Sequence, residues 1–144
     1  MMTPTLEFEP IVGAKGLQLS NPDILSMTSL LGSLQVFSKT DMIQVRRKST
    51  ELSAYLRQLL KPLCPQDIKI LTPEDPTASG AQLSIEITNG NAEEIMKKCQ
   101  ERGVIIDMRS PNVLRLAPTG LYNTFVDVHK TATTLIHMLM NNEQ

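Results

Sequence analysis

Between residues 24 and 37 the apolar positions recur at steps of three and four. Ile24, Met27, Leu30, Leu31, Leu34 and Phe37 fall on one side, while Ser26, Ser29, Ser33 and Gln35 fall largely on the other. This predicts a first helix ending near Ser38. Its start is set by Ser20-Asn21-Pro22-Asp23: Asn21 can cap, Pro22 suits the first helical position, and Asp23 brings negative charge to the positive end of the helix dipole. A second helix is predicted after a cap at Asp41. Ile43, Val45, Leu52, Tyr55, Leu56, Leu59 and Leu60 supply its apolar positions, and Arg46, Arg47, Lys48 and Glu51 its wet side, until Lys61-Pro62 stops it.

The period then changes. Pro65, Pro73, Pro76 and Gly80 punctuate a loop-rich stretch around Ile68 to Leu71, which reads as an edge strand. Leu83, Ile85 and Ile87 alternate with Ser84, Glu86 and Thr88, the pattern of a half-buried strand. After the Asn89-Gly90 turn, Asn91 with Glu94 three residues on opens a third helix, whose apolar side is Ile95, Met96 and Cys99 and whose end is Gly103. A strand is expected to resume at once at Val104-Ile105-Ile106. Ser110-Pro111-Asn112 then turns the chain into Val113 to Ala117, making a hairpin, and a last helix starts near Asn123 or Thr124. The first sixteen residues, with Pro4, Pro10, Gly13 and Gly16, keep no period and read as an irregular arm leading to a short extended piece at Leu17 to Leu19. The expectation is therefore an arm over 1–16 and an α+β domain over 17–144, with a three- to four-stranded sheet packed by helices in two layers.

Composition narrows the function. The chain has 144 residues and is 41% hydrophobic, enough for one core of ordinary size. Fourteen Lys and Arg against 15 Asp and Glu, with 3% aromatics and no Trp, leave neither a basic stripe nor stacking platforms for nucleic acid. Two cysteines, Cys64 and Cys99, cannot form a disulfide framework or a four-ligand zinc site, and they fit a reducing compartment. No run approaches the roughly 18 apolar residues of a membrane span, and Met1 to Pro10 carries Glu7 and Glu9 where a signal peptide needs basic and apolar regions. The expected setting is the cytoplasm.

Candidate chemistry is sparse. His129 and His137, on one predicted helix, stand about 12 Å apart along its axis, too far to share a metal, so no metal site is expected. No nucleophile or catalytic residue stands out, since Cys64 and Cys99 read as a loop thiol and a buried small hydrophobe. Two positions remain. Arg115 lies between Leu114 and Leu116, so if both leucines face the core its guanidinium points to the opposite face with Val113 and Ala117. There it can pair with a surface acid or clamp a ligand carboxylate through two N–H groups. Ser20-Asn21-Pro22 offers a hydroxyl, a carboxamide and helix-terminal amides, which serve either as plain capping or as a polar-ligand site.

These residues lie in strings with a family resemblance. Gly16-Leu17-Gln18-Leu19-Ser20-Asn21-Pro22 followed by Ile24-Leu25 resembles the segment opening the C-terminal part of kynureninases. Arg102 to Arg109, Pro111, Leu114-Arg115-Leu116-Ala117-Pro118 and Leu121-Tyr122-Asn123-Thr124-Phe125 are similar to that family's closing hairpin and helix. Arg47-Lys48-Ser49, Tyr55-Leu56 and Gly80 to Ser84 fit in the same order. The chain departs from the pattern at Asp23, where the family usually has a second proline, and at Thr119-Gly120, in place of a proline-containing step.

The resemblance implies a pyridoxal-phosphate hydrolase of aminotransferase-like fold type I. Such enzymes are α/β homodimers that cleave L-kynurenine or 3-hydroxykynurenine to anthranilate or 3-hydroxyanthranilate plus L-alanine, in tryptophan catabolism and de novo NAD synthesis. By the same resemblance Arg115 holds the substrate carboxylate. Asn21 lies near the cofactor phosphate and the substrate's aryl end across the dimer interface, and Ser20, Arg109 and Tyr122 support. The cofactor lysine and most of the phosphate cup belong to a large domain not found in this sequence, so the chain is expected to be inactive alone. The alternative is a stand-alone, non-catalytic module that binds a carboxylate or a partner protein.

Overall fold

The structure, a computed structural model, describes residues 9–140; the beginning of the expected arm, including Pro4 and Glu7, and the polar tail lie outside them. The chain divides into two compact units, Met1–Thr40 and Asp41–Gln144.

In the first unit a 3-10 turn, Ala14–Leu17, stands where the extended piece was expected to begin, and Gln18 is the first extended residue after it. Helix α1 is Ile24–Phe37. Its cap is Asp23 and not Asn21: the Asp23 side chain accepts from the Leu25 amide at 3.1 Å, and the Ser26 hydroxyl also donates to it. The shift has a local cause. Proline disfavours the helical region for the residue before it, so Asn21 stays outside, and Asp23 is the next side chain able to cap. The apolar residues of α1 are exposed.

In the second unit, helix α2 (Met42–Leu60) opens as expected, with Asp41 accepting from the Gln44 amide at 2.8 Å. Strands β1 (Ile68–Ile70), β2 (Leu83–Ile87), β3 (Asp107–Arg109) and β4 (Val113–Leu116) form one antiparallel sheet in the order β1-β2-β4-β3. Helix α3 (Ala92–Glu101) follows β2, and helix α4 (Phe125–Met140) closes the unit. One core serves both layers: Leu83, Ile85, Ile87, Leu114 and Leu116 of the sheet are buried with Leu52, Leu56 and Leu60 of α2, Ile95 and Cys99 of α3, and Leu135 and Leu139 of α4. Each such side chain contributes about 1.5–3 kcal/mol relative to exposure.

Helix α3 ends as its glycine predicts. Gly103 has φ 72°, and the paired bonds Val104 N–H to Cys99 O (3.0 Å) and Gly103 N–H to Gln100 O (2.9 Å) close a Schellman turn. That turn also displaces the expected strand. Val104 spends its amide on the helix end, Ile105 is exposed, and ladder pairing begins only at Asp107. The wet side of α2 is corrected at Arg46 and Lys48, both half-buried; Arg46 donates to the carbonyls of Pro76 and Ser79, tying down the loop before β2.

Candidate functional site

On β4 the side chains alternate as the flanking leucines require. Leu114 and Leu116 are buried in the core, so Arg115 stands on the opposite face of the sheet. The register then chooses its neighbours. Arg115 is paired with Ser84 on β2 and with Asp107 on β3, so these three residues form one row across the outer face. In the adjacent row Arg109 is paired with Val113.

Asp107 joins the two guanidiniums. Its Oδ2 accepts from both Nε (3.0 Å) and Nη2 of Arg115. Arg109 Nη1 donates to Oδ1 at 3.2 Å, and its Nη2 lies 3.2 Å from Oδ2. Hydrogen bonding from Arg115 is the main cause that holds the Asp107 carboxyl below its ordinary range, with the charges of Arg109 and Arg115 adding to it. The cluster therefore carries two positive charges and one negative at neutral pH. Of the five N–H groups of Arg115, Asp107 takes two on the Nε side, and the Nη1 end makes no hydrogen bond among the described residues. A fork of that kind matches a carboxylate.

Asp107 escaped the sequence reading, although a signal was present. With Ser110-Pro111-Asn112 as the turn, Arg109 meets Val113, and two residues further along each strand Asp107 meets Arg115. Expecting the strand at Val104–Ile106 hid that register.

Asn21 belongs to the first unit, where it is exposed in a bend before Asp23, and in the turn beside it Gln18 Nε2 donates to Ser20 O at 2.7 Å. Tyr122 is exposed on the segment after β4. His129 Nδ1 lies 3.1 Å from the Tyr55 hydroxyl, and Tyr55 meets Phe125 edge-on at 5.6 Å, an aromatic contact between α2 and α4. Among the described residues no group of three or more His, Cys, Asp and Glu is placed to hold a metal, and no helix is long and apolar enough to cross a membrane. A groove of about 840 Å³ lies away from Arg115 between α2, β1 and residues 72–83. Its arginines, Arg46 and Arg57, are occupied by backbone carbonyls of that loop.

The four-stranded antiparallel sheet with its packed helices is a fold this chain shares with part of two cysteine desulfurases. The apo cysteine desulfurase of Thermococcus onnurineus NA1 matches 88% of this chain over 34% of its own, with TM-score 0.76 and 10% identity. A cysteine desulfurase from Escherichia coli matches 83% over 32%, with TM-score 0.69 and 15% identity. Sequence gives the particular family. Residues 45–135 match the kynureninase C-terminal domain. The kynureninase of Monosiga brevicollis is 44% identical over 128 residues, covering 85% of this chain and 28% of that protein. Kynureninase 2 of Aspergillus oryzae is 47% identical over 126 residues, covering 85% and 27%. The chain belongs to the kynureninase family, and it spans little more than a quarter of the length of these relatives.

Pyridoxal phosphate is the cofactor of this family. Arg115, Asp107, Arg109 and Ser84 include no amine, so their cluster does not fit covalent attachment of the cofactor's aldehyde. It fits a free carboxylate.

Proposed function

We propose that this sequence acts as the small domain of a kynureninase, hydrolysing L-kynurenine or 3-hydroxykynurenine to anthranilate or 3-hydroxyanthranilate plus L-alanine, with Arg115 binding the substrate's α-carboxylate. The observation that carries the reading is the Arg115 guanidinium itself. It is held on the outer face of the sheet by Asp107, and its Nη1 end is unbonded among the described residues. Two N–H groups aimed at one carboxylate fix both position and orientation of an amino-acid substrate. Asn21, a carboxamide in an exposed bend, is proposed to contact the cofactor phosphate and the aryl end of the substrate, in a homodimer. When bound, pyridoxal phosphate supplies the electron sink. The chain's own part is capture and orientation, and the 144-residue chain alone is proposed not to turn over.

The test compares two proteins with L-kynurenine and pyridoxal phosphate, following anthranilate fluorescence. One is the 144-residue chain; the other is a full-length kynureninase carrying this chain as its C-terminal domain. Turnover is expected only in the second, and Arg115→Ala there should lower kcat/KM by about 100-fold, chiefly through KM. Unchanged KM in Arg115→Ala would remove the carboxylate role, and turnover by the isolated chain would remove the claim of inactivity.

A further inference from the structure

We propose that Asp107 is a positioning residue for Arg115, fixing the guanidinium so that its Nη1/Nη2 edge is presented to the incoming carboxylate. This rests on the carboxylate reading of Arg115. Three observations carry it. The register of the β3–β4 hairpin places Asp107 directly opposite Arg115 on the same face, so the contact is built by backbone pairing and not by chance approach of long side chains. A single oxygen, Oδ2, takes both N–H groups of the Nε side. Three N–H groups remain, two of them parallel on the terminal edge, so Asp107 orients the fork without occupying it.

The third observation concerns charge. A carboxylate beside the arginine would by itself cancel the attraction for an anionic substrate. Arg109, on the same strand and the same face, reaches both oxygens of Asp107, so the cluster keeps a net charge of plus one. The arrangement gives orientation through Asp107 while Arg109 preserves the pull on the substrate. Stability does not explain it. With the side chains 30% and 48% exposed, an ion pair of this kind adds little to folding. An arginine already held in one rotamer, by contrast, loses less freedom when the substrate arrives.

The experiment uses the full-length kynureninase carrying this chain as its C-terminal domain, loaded with pyridoxal phosphate. KM and kcat for L-kynurenine are compared with the inhibition constant of its decarboxylated amine, which cannot use the fork. Asp107→Ala, which removes the acceptor oxygen, should raise KM about tenfold with kcat within about twofold, and should leave the amine's inhibition constant unchanged. Asp107→Asn, which keeps one acceptor oxygen, should recover part of the loss. In an Arg115→Ala background Asp107→Ala should cost nothing further, because there is no guanidinium left to orient. Should Asp107→Ala not fold, Asp107→Val must show the same split. Unchanged KM in the Asp107 variants, with a large effect of Arg115→Ala, overturns the positioning role and leaves the carboxylate reading standing. Equal losses on kynurenine and on the amine also overturn it, because a merely structural role predicts them. No effect of Arg115→Ala overturns both.

Discussion

Asn112, in the turn of the β3–β4 hairpin, accepts a hydrogen bond from the Ala92 amide at the start of α3 at 2.7 Å. Its carboxamide nitrogen donates to Ile87 O (2.6 Å) and to Gly90 O (3.2 Å), so one side chain joins the hairpin, the end of β2 and the beginning of α3. Each bond answers a backbone group that the sheet and helix leave unpaired. Asn112→Ala is expected to destabilise the chain by about 1–3 kcal/mol, the cost of three unmet groups in a part-buried site. Asn112→Asp keeps the acceptor and loses both donations, and should fall between. Urea unfolding midpoints of the three proteins check the order, and an Ala variant as stable as the parent would show that water replaces the side chain freely.

Acid should weaken the fold in a defined window. Asp41 and Asp127 are held below the ordinary carboxylate range, first by hydrogen bonds from Gln44 and Thr124 respectively. A carboxyl whose folded value lies below its unfolded value, near 3.9 for aspartate, binds protons more weakly when folded. Its contribution is present above about pH 4 and disappears as pH falls through the folded value. Unfolding midpoints should therefore change little from pH 7 to 5 and drop once the pH falls below about 4. A profile that stays flat below pH 4 would mean these bonds contribute nothing net.

The two thiols should differ in reactivity. Cys99 is fully buried, its Sγ 3.7 Å from Met138 Sδ, and burial pushes its thiol from 9.0 to about 11. Cys64 is only half-buried. Iodoacetamide at pH 8 is expected to label Cys64 and spare Cys99, with both labelled in urea. The same upward shift means that stability declines as pH rises from about 9, where the unfolded thiol ionises, towards the folded value. Rapid labelling of Cys99 in the folded chain would contradict its burial.

Much of this architecture is legible where a single rule decides. The alternation over 83–87 places Leu83, Ile85 and Ile87 in the core, and the leucines beside Arg115 send it outward, because a strand has only two faces. Asp41, Asn91 and Gly103 mark helix ends through local bonds that depend on few neighbours. The misreadings arise where two rules compete. Val104-Ile105-Ile106 looks like a strand by composition, yet the Schellman turn claims the first amide and delays pairing to Asp107. Asn21 looks like a cap, yet Pro22 holds it out of the helix. Arg46 looks solvated, yet loop carbonyls remote in sequence capture it. The partner of Arg115 belongs to the same group, since it follows from register, and register depends on where the strand begins.

Gly120 is expected to be intolerant of a side chain for a steric reason. It lies in the turn that follows β4, where Asn123 Oδ1 accepts from the Thr119 amide at 2.9 Å. A Cβ built on Gly120 would stand 2.5 Å from Val45 O and 3.3 Å from Val45 C, both backbone atoms of the first turns of α2, which cannot swing aside as a side chain can. Gly120→Ala must push that turn off the helix, at about 1–3 kcal/mol. Gly80 provides the comparison, because a Cβ there meets nothing within 4 Å. Gly80→Ala should be neutral or stabilise by up to about 1 kcal/mol, through the unfolded state. Thermal unfolding of the two variants beside the parent separates them: a lowered Tm is expected for Gly120→Ala alone. Equal Tm values would show that the turn yields without cost, and the close approach of residue 120 to α2 would then be no constraint on the sequence.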